Sequence, residues 1–157
     1  MPCDMLVKLY TVQEDEALLK RLKEESILIK RALPTDLTPV RQFALEHFSQ
    51  GWADEAAVSM VNNGCFIAVK DQKIQGFACI EAMRGYFGPI GVAEAMRGLG
   101  VGRALLLRSL CAMREMGYAY AIIGWVDDAL MFYKKTVNAI EIEDSFPGQY
   151  QNLARFS

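Results

Sequence analysis

The sequence predicts an α+β sandwich, one domain built on a mixed β-sheet. Three observations predict it. Strand-like and helix-like patterns alternate along the chain. Two β-rich runs, residues 65–69 and 73–82, are separated only by Lys70-Asp71-Gln72, the spacing of an antiparallel hairpin. Residues 86–92, a long amphipathic helix and residues 118–126 then read as a β-α-β unit, which demands a parallel pair.

Taken in order, residues 5–10 alternate as a short strand, and residues 13–25 form a charged helix with Ala17, Leu18, Leu19 and Leu22 on its apolar face. Residues 27–32 are a second strand, closed by Pro34. Thr35 or Asp36 caps a helix to about Phe48, which Gly51 breaks. A helix over about 53–62 stops at Asn63-Gly64. Pro89 and Gly91 inside the strand at 86–92 predict a bulge or a close backbone approach. Residues 99–116 are the clearest helix, with Val101, Leu105, Leu106, Leu110 and Met113 on one face and Gly117 as its stop. The run at 118–126 is almost continuously apolar, as in a strand buried on both faces. Asp127 or Asp128 caps a short helix to about Lys135, and residues 139–142 and 149–156 are final strands.

Composition narrows the function. The chain has 157 residues, room for one domain, and no repeat or linker divides it. Its net charge of −2 argues against nucleic acid as the main partner, which needs a basic field. No apolar stretch is long enough for a membrane helix, and the N-terminus carries no signal-peptide pattern. Cys3, Cys65, Cys79 and Cys111 are scattered and His47 is the single histidine, so no zinc site is expected. Reduced thiols fit a cytoplasmic protein.

The loop from Val92 to Arg103 carries the chemistry. A strand enters it, a helix leaves it, and Gly98, Gly100 and Gly102 stand with Arg97 and Arg103 at the helix start. Glycines let the backbone approach closely, helix N–H groups and the dipole attract an anion, and the arginines add charge-assisted bonds. A phosphate or pyrophosphate fits. The dinucleotide fingerprint fails because Arg103 and Leu105 occupy its third-glycine positions, and no G-K-[ST] is present.

Arg97, Gly100 and Gly102 do form R-x-x-G-x-G. With Val92 five residues upstream, Phe132-Tyr133-Lys134-Lys135 after the next strand and Ile29-Lys30-Arg31-Ala32 ahead of Asp36, the chain resembles the GCN5-related N-acetyltransferase (GNAT) superfamily. The resemblance covers about residues 26–145 and makes residues 1–25 an N-terminal addition to the core of a single domain, 1–157. It implies a mostly antiparallel sheet with helices on both faces and splayed central strands. It also implies a divergent, bacterial-type enzyme that uses acetyl-CoA as co-substrate and no metal. Val92 N–H would bind the thioester oxygen. Arg97 and the backbone of Gly98, Leu99, Gly100, Val101, Gly102 and Arg103 would hold the pyrophosphate. Tyr133 would protonate the departing thiolate.

The sequence also departs from the family. Ile90 stands where some members carry a basic glutamate, Val126 where many carry asparagine, and Val137-Asn138-Ala139 replaces the usual G-F. Glu81 is the replacement candidate for the base, ahead of Glu94 and Asp127; a water chain is the other route. His47, Trp52 and Glu55, with Tyr86, are the candidates for an acceptor site, since an aromatic ring beside a carboxylate suits a cationic amine. The turn-rich stretch 145–150 either borders that site or connects two strands. The expected activity is transfer of an acetyl group to a primary amine of a small molecule or peptide. A non-catalytic acyl-CoA sensor and a transferase for longer acyl groups are the alternatives. Neither nucleic acid nor membrane is an expected partner, and a homodimer through end strands of the sheet is compatible with the architecture.

Overall fold

A computed structural model describes residues 1–154. The strands are β1 (Cys3–Lys8), β2 (Leu28–Arg31), β3 (Cys65–Lys70), β4 (Lys73–Ile80), β5 (Tyr86–Val92), β6 (Tyr120–Val126) and β7 (Ile140–Glu141). The helices are α1 (Glu16–Glu24), α2 (Leu37–His47), α3 (Gln50–Val61), α4 (Val101–Glu115) and α5 (Leu130–Val137). The strands form one sheet in the order β2-β3-β4-β5-β6-β1-β7. Only the β5–β6 pair is parallel; every other pairing is antiparallel. The predicted α+β sandwich on a mixed sheet is therefore the observed fold.

Local chemistry explains the elements. Asp71 and Gln72 both take positive φ, +52° and +64°, the two-residue turn whose twist matches a hairpin. Asp15 caps α1 by accepting from Leu18 N–H at 3.1 Å. The glycine stop after α4 is real, with Gly117 at φ +103°.

Two apolar clusters sandwich the sheet. On one face α1, α4 and α5 bury Leu18, Leu22, Leu105, Leu106 and Leu110 against Phe66, Ile80, Phe87 and Ile123. On the other, α2 and α3 cover Ile67, Phe77 and Cys79 with Val40, Phe43, Ala53 and Ala56. Each fully buried leucine contributes on the order of 2 kcal/mol. Because α2 and α3 sit over β3 and β4, no helix covers β6 on their side. Tyr120 and Trp125 are exposed there, so β6 is not the doubly buried strand that its apolar run predicted.

Residues 1–25 were expected as an addition, and they are woven into the molecule. β1 lies between β6 and β7, with Met5 and Val7 fully buried, and Leu22 is fully buried from α1. Gly51 does not break the α2–α3 connection. The chain turns at Phe48, with φ −134° and ψ −91°, and Ser49 then caps α3 by accepting from Trp52 N–H at 3.1 Å. Asp36 accepts from Leu33 N–H and pairs with Lys30, so it closes the turn before α2 rather than capping α2. Neither Asp127 nor Asp128 caps α5 with its side chain. The last predicted strand is a single 3-10 turn at Gly148–Tyr150, and residues 155 and 156 of that expectation lie outside the described residues. Among the described residues no helix is long and apolar enough to cross a membrane.

Candidate active site

The central strands part. β5 and β6 pair only at Tyr86–Ile122 and Phe87–Ile123, and each then follows its other neighbour, β4 or β1. Irregularities on both strands begin where they separate. β5 slips register against β4 between Ile90 and Phe87, around Gly88-Pro89, and β6 bulges at Trp125, which takes φ +51° and donates its N–H to Asp4 Oδ1. The result is a wedge-shaped gap open toward the C-terminal ends of both strands.

Val92 faces that gap. Ala93 N–H donates to Gln75 O at 2.8 Å, which makes these two the hydrogen-bonded pair next to Val92 and Gly76. Antiparallel alternation then turns the Val92 N–H away from β4 and toward β6. Its side chain packs on the α4 face of the sheet, near Gly76 and Gly102.

The Arg97–Arg103 loop lies at the mouth of the gap. Gly100 is the N-cap of α4 at φ +91° and offers no side chain to the helix end. The first helical bond runs from Ala104 N–H to Gly100 O, so the N–H groups of Val101, Gly102 and Arg103 have no acceptor within the helix. Arg97 is exposed and makes no side-chain bond among the described residues. These features fit an anionic diphosphate: free donors, a positive helix end and an exposed cation.

The sequence predicted the first helix but not its place at this loop. α1 lies across Gly100, with Leu18 and the Arg21 guanidinium against its Cα, and Arg21 Nη2 donates to Leu99 O at 2.9 Å. Arg103, expected to bind the anion, pairs through its Nε with Asp15 at 3.2 Å and leaves its backbone N–H for the ligand. That pair and the bond from Leu18 N–H hold the Asp15 carboxyl below the usual range, the backbone bond contributing most. Only the fold brings residues 15–21 to this loop, and no local motif announces it.

Tyr133 stands where the gap begins, its ring edge-on to Phe87 at 6.2 Å. The ring is buried and the hydroxyl makes no hydrogen bond to the described residues. Burial raises its pKa strongly, which keeps the phenol protonated, the state a proton donor needs.

Glu81 is not at this site. It sits beside Tyr86 at the start of β5, six residue steps from Val92, about 20 Å along the strand at roughly 3.3 Å per residue. Its carboxylate accepts from Gly85 N–H at 2.9 Å and from the Tyr118 hydroxyl at 3.2 Å, so it fixes the β4–β5 turn. The expectation of Glu81 as base is corrected on that geometry.

The acceptor candidates divide. His47 is exposed at the end of α2, its ring 4.3 Å from that of Phe43 and 6.3 Å from that of Phe48. Trp52 stacks on Phe48 at 4.7 Å, and Phe48 packs against Gly91 of β5, where a Cβ would collide with its ring. Tyr86 meets a residue that sequence reasoning left undecided: the Tyr150 hydroxyl is seated on Gly124, with Tyr86 Cε2 alongside. Trp125 packs edge-on against both Phe146 and Tyr150. The 145–150 stretch therefore borders the face of the gap opposite α4. Glu55, on α3, looks over the same face; crowding around its carboxyl raises its pKa although the side chain as a whole is exposed.

A family model described as acetyltransferase (GNAT) family matches residues 29–137. No curated protein sequence matches the chain. Among solved structures, the GCN5-related glucosamine N-acetyltransferase region of a fungal multi-domain β-N-acetylglucosaminidase superposes with a TM-score of 0.73 at 15% identity, covering 90% of this chain and 20% of that one. A GCN5-related N-acetyltransferase from Sphaerobacter thermophilus gives 0.67 at 16%, covering 90% and 48%. A GNAT family acetyltransferase from Brucella melitensis, in complex with acetyl-CoA, gives 0.51 at 19%, covering 68% and 80%. The chain thus spans less than half of the first two. At these identities the likeness is one of fold.

Proposed function

The chain belongs to the acetyltransferase (GNAT) family, and from that premise we propose that it is an acetyl-CoA-dependent N-acetyltransferase acting on a primary amine. One observation carries the reading: the β5–β6 gap, with the Val92 N–H turned into it, opens beside the uncapped start of α4. Acetyl-CoA, when bound, supplies an acetyl thioester. The free N–H groups at 101–103 and the Arg97 side chain would hold its diphosphate, with Arg21 closing the loop from α1. Val92 N–H is a fixed donor for the thioester oxygen as negative charge develops there, and a donor that needs no reorganisation lowers the barrier most. The Tyr133 hydroxyl, protonated and free of other partners, gives its proton to the leaving sulfur. The acceptor approaches from the opposite face, along Tyr86, Trp125 and Tyr150.

The engagement of Glu81 elsewhere, with Ile90 on the strand, favours a second reading, a module that binds acyl-CoA without turnover. Calorimetric titration with acetyl-CoA and with CoA, paired with thiol release over a panel of primary amines, decides. The wild type is expected to bind and turn over, and Arg97→Ala and Gly100→Trp to lose affinity. Tyr133→Phe is expected to lose about 100-fold in kcat while binding acetyl-CoA normally. Binding without thiol release from any amine makes the module reading correct. No binding at all removes both.

A further inference from the structure

The groups described so far leave the proton of an ammonium substrate without a taker. We propose that Glu55 of α3 takes it, acting as general base for a cationic primary amine on the α3 side of β5 and β6. The inference rests on the acetyltransferase reading above.

Position is the first argument. Ser59, one turn beyond Glu55, is fully buried and anchors α3 by donating its hydroxyl to Ile80 O of β4 at 2.7 Å. Trp52, one turn before, stacks toward β5 through Phe48. Residues three and four apart share a helix face, so Glu55 is held at the margin of the buried stripe between these two anchors. Burial raises the pKa of the Cys79 thiol on β4 and of the Tyr150 phenol seated on β6, and the nearby Glu55 carboxylate adds to both. β5 runs between β4 and β6, so Glu55 lies toward the β5 side of α3. Cys79 lies opposite Gly88-Pro89, between the Ala78–Ile90 and Ile80–Phe87 pairs. That is the level at which the strands part.

The second argument is an unmet charge. Among the described residues no ion pair or side-chain hydrogen bond involves Glu55. Its ionisable neighbours on this side include the Cys79 thiol and the Tyr150 phenol, the latter with Tyr86 alongside and Asp4 also acting on it. None is cationic. A partly desolvated carboxylate with no protein cation is complemented by a cation brought by the substrate, and its raised pKa makes it a better base than an ordinary glutamate. The aromatic rings of Trp52, Tyr86 and Tyr150 frame the same face and favour an ammonium over a neutral or anionic acceptor.

The step balances. Glu55 accepts one proton from R–NH3+ and passes it to solvent, which its exposed side chain reaches. The nitrogen lone pair forms the C–N bond as the C–S bond breaks. The sulfur takes the Tyr133 proton, and the proton lost by the acylated nitrogen restores it. The products are the amide, the free thiol and one proton released.

The test compares wild type, Glu55→Gln and Glu55→Asp with acetyl-CoA and primary amines from propylamine to tyramine. It follows thiol release from acid to alkaline pH, with acetyl-CoA affinity measured in parallel. Glu55→Gln is expected to keep that affinity, lose about 100-fold or more in kcat/KM and lose the acid limb of the profile. Glu55→Asp should restore part of both. Unchanged rate and profile in Glu55→Gln overturn the inference and leave the acetyltransferase reading standing. So does a raised KM with kcat and the acid limb intact, which describes a contact and not a base. If the wild type releases no thiol with any amine, the acetyltransferase reading falls and the inference falls with it.

Discussion

Gly124 lacks a side chain where Tyr150 needs the room: a Cβ there would stand 2.0 Å from the Tyr150 hydroxyl. Gly124→Ala should therefore unseat Tyr150 and disturb the acceptor face alone. The expected result is a several-fold rise in KM for the amine with acetyl-CoA affinity unchanged, read from steady-state kinetics and a titration. This contact was not legible in the sequence, because it joins two distant residues through the sheet with no local pattern between them. The anion loop was legible, because its chemistry is contiguous: Arg97, Gly100 and the helix start follow one another. Tyr133 was legible for the same reason. Glu81 misled because a glutamate at a strand end serves a turn as readily as it serves a proton transfer, and only its bonds to Gly85 and Tyr118 tell which.

Among the elements, α1 has the largest consequence for the site. It closes over the loop through Leu18 on Gly100, Arg21 on Leu99 O and Asp15 on Arg103. Arg21→Ala should weaken acetyl-CoA binding several-fold, measured by calorimetry, while leaving the thermal transition in place, since Arg21 buries no core surface. The Asp15 link is durable at neutral pH. A carboxyl whose pKa is lowered on folding contributes stability above its unfolded value, near 4, and loses it only as pH falls through the lowered folded one. Helix and strand order was readable from periodicity and breakers, and the β3–β4 hairpin from its spacing. The start of α3 was not, because a glycine in a helix's first turn costs little when a serine cap precedes it. The exposure of β6 was not, because an apolar run does not say how far the helices on each face extend.

For the molecule as a whole, the fold class followed from element order, while the place of the first strand did not. β1 pairs with β6 from Cys3–Val126 to Lys8–Tyr120 and with β7 at Leu6–Ile140. Removing residues 1–25 is expected to abolish cooperative unfolding, followed by circular dichroism on heating, even though the family match begins at residue 29. β6 would lose its antiparallel neighbour, and β7, two residues long, would lose its partner among the described strands. A truncated chain that still melted as one unit would show the remaining strands to be self-sufficient.

The position of β1 also sets a timetable. The strand is synthesised before either of its neighbours, and both come from the far end of the chain. During translation Met5 and Val7, wholly enclosed in the finished protein, have no sheet to enter until more than a hundred further residues have emerged. Pairings of such long reach form slowly and leave apolar surface open meanwhile. A ribosome that pauses before residue 120 therefore holds out an apolar strand with nowhere to dock. At that stage the nascent protein depends most on chaperones and is most open to proteases.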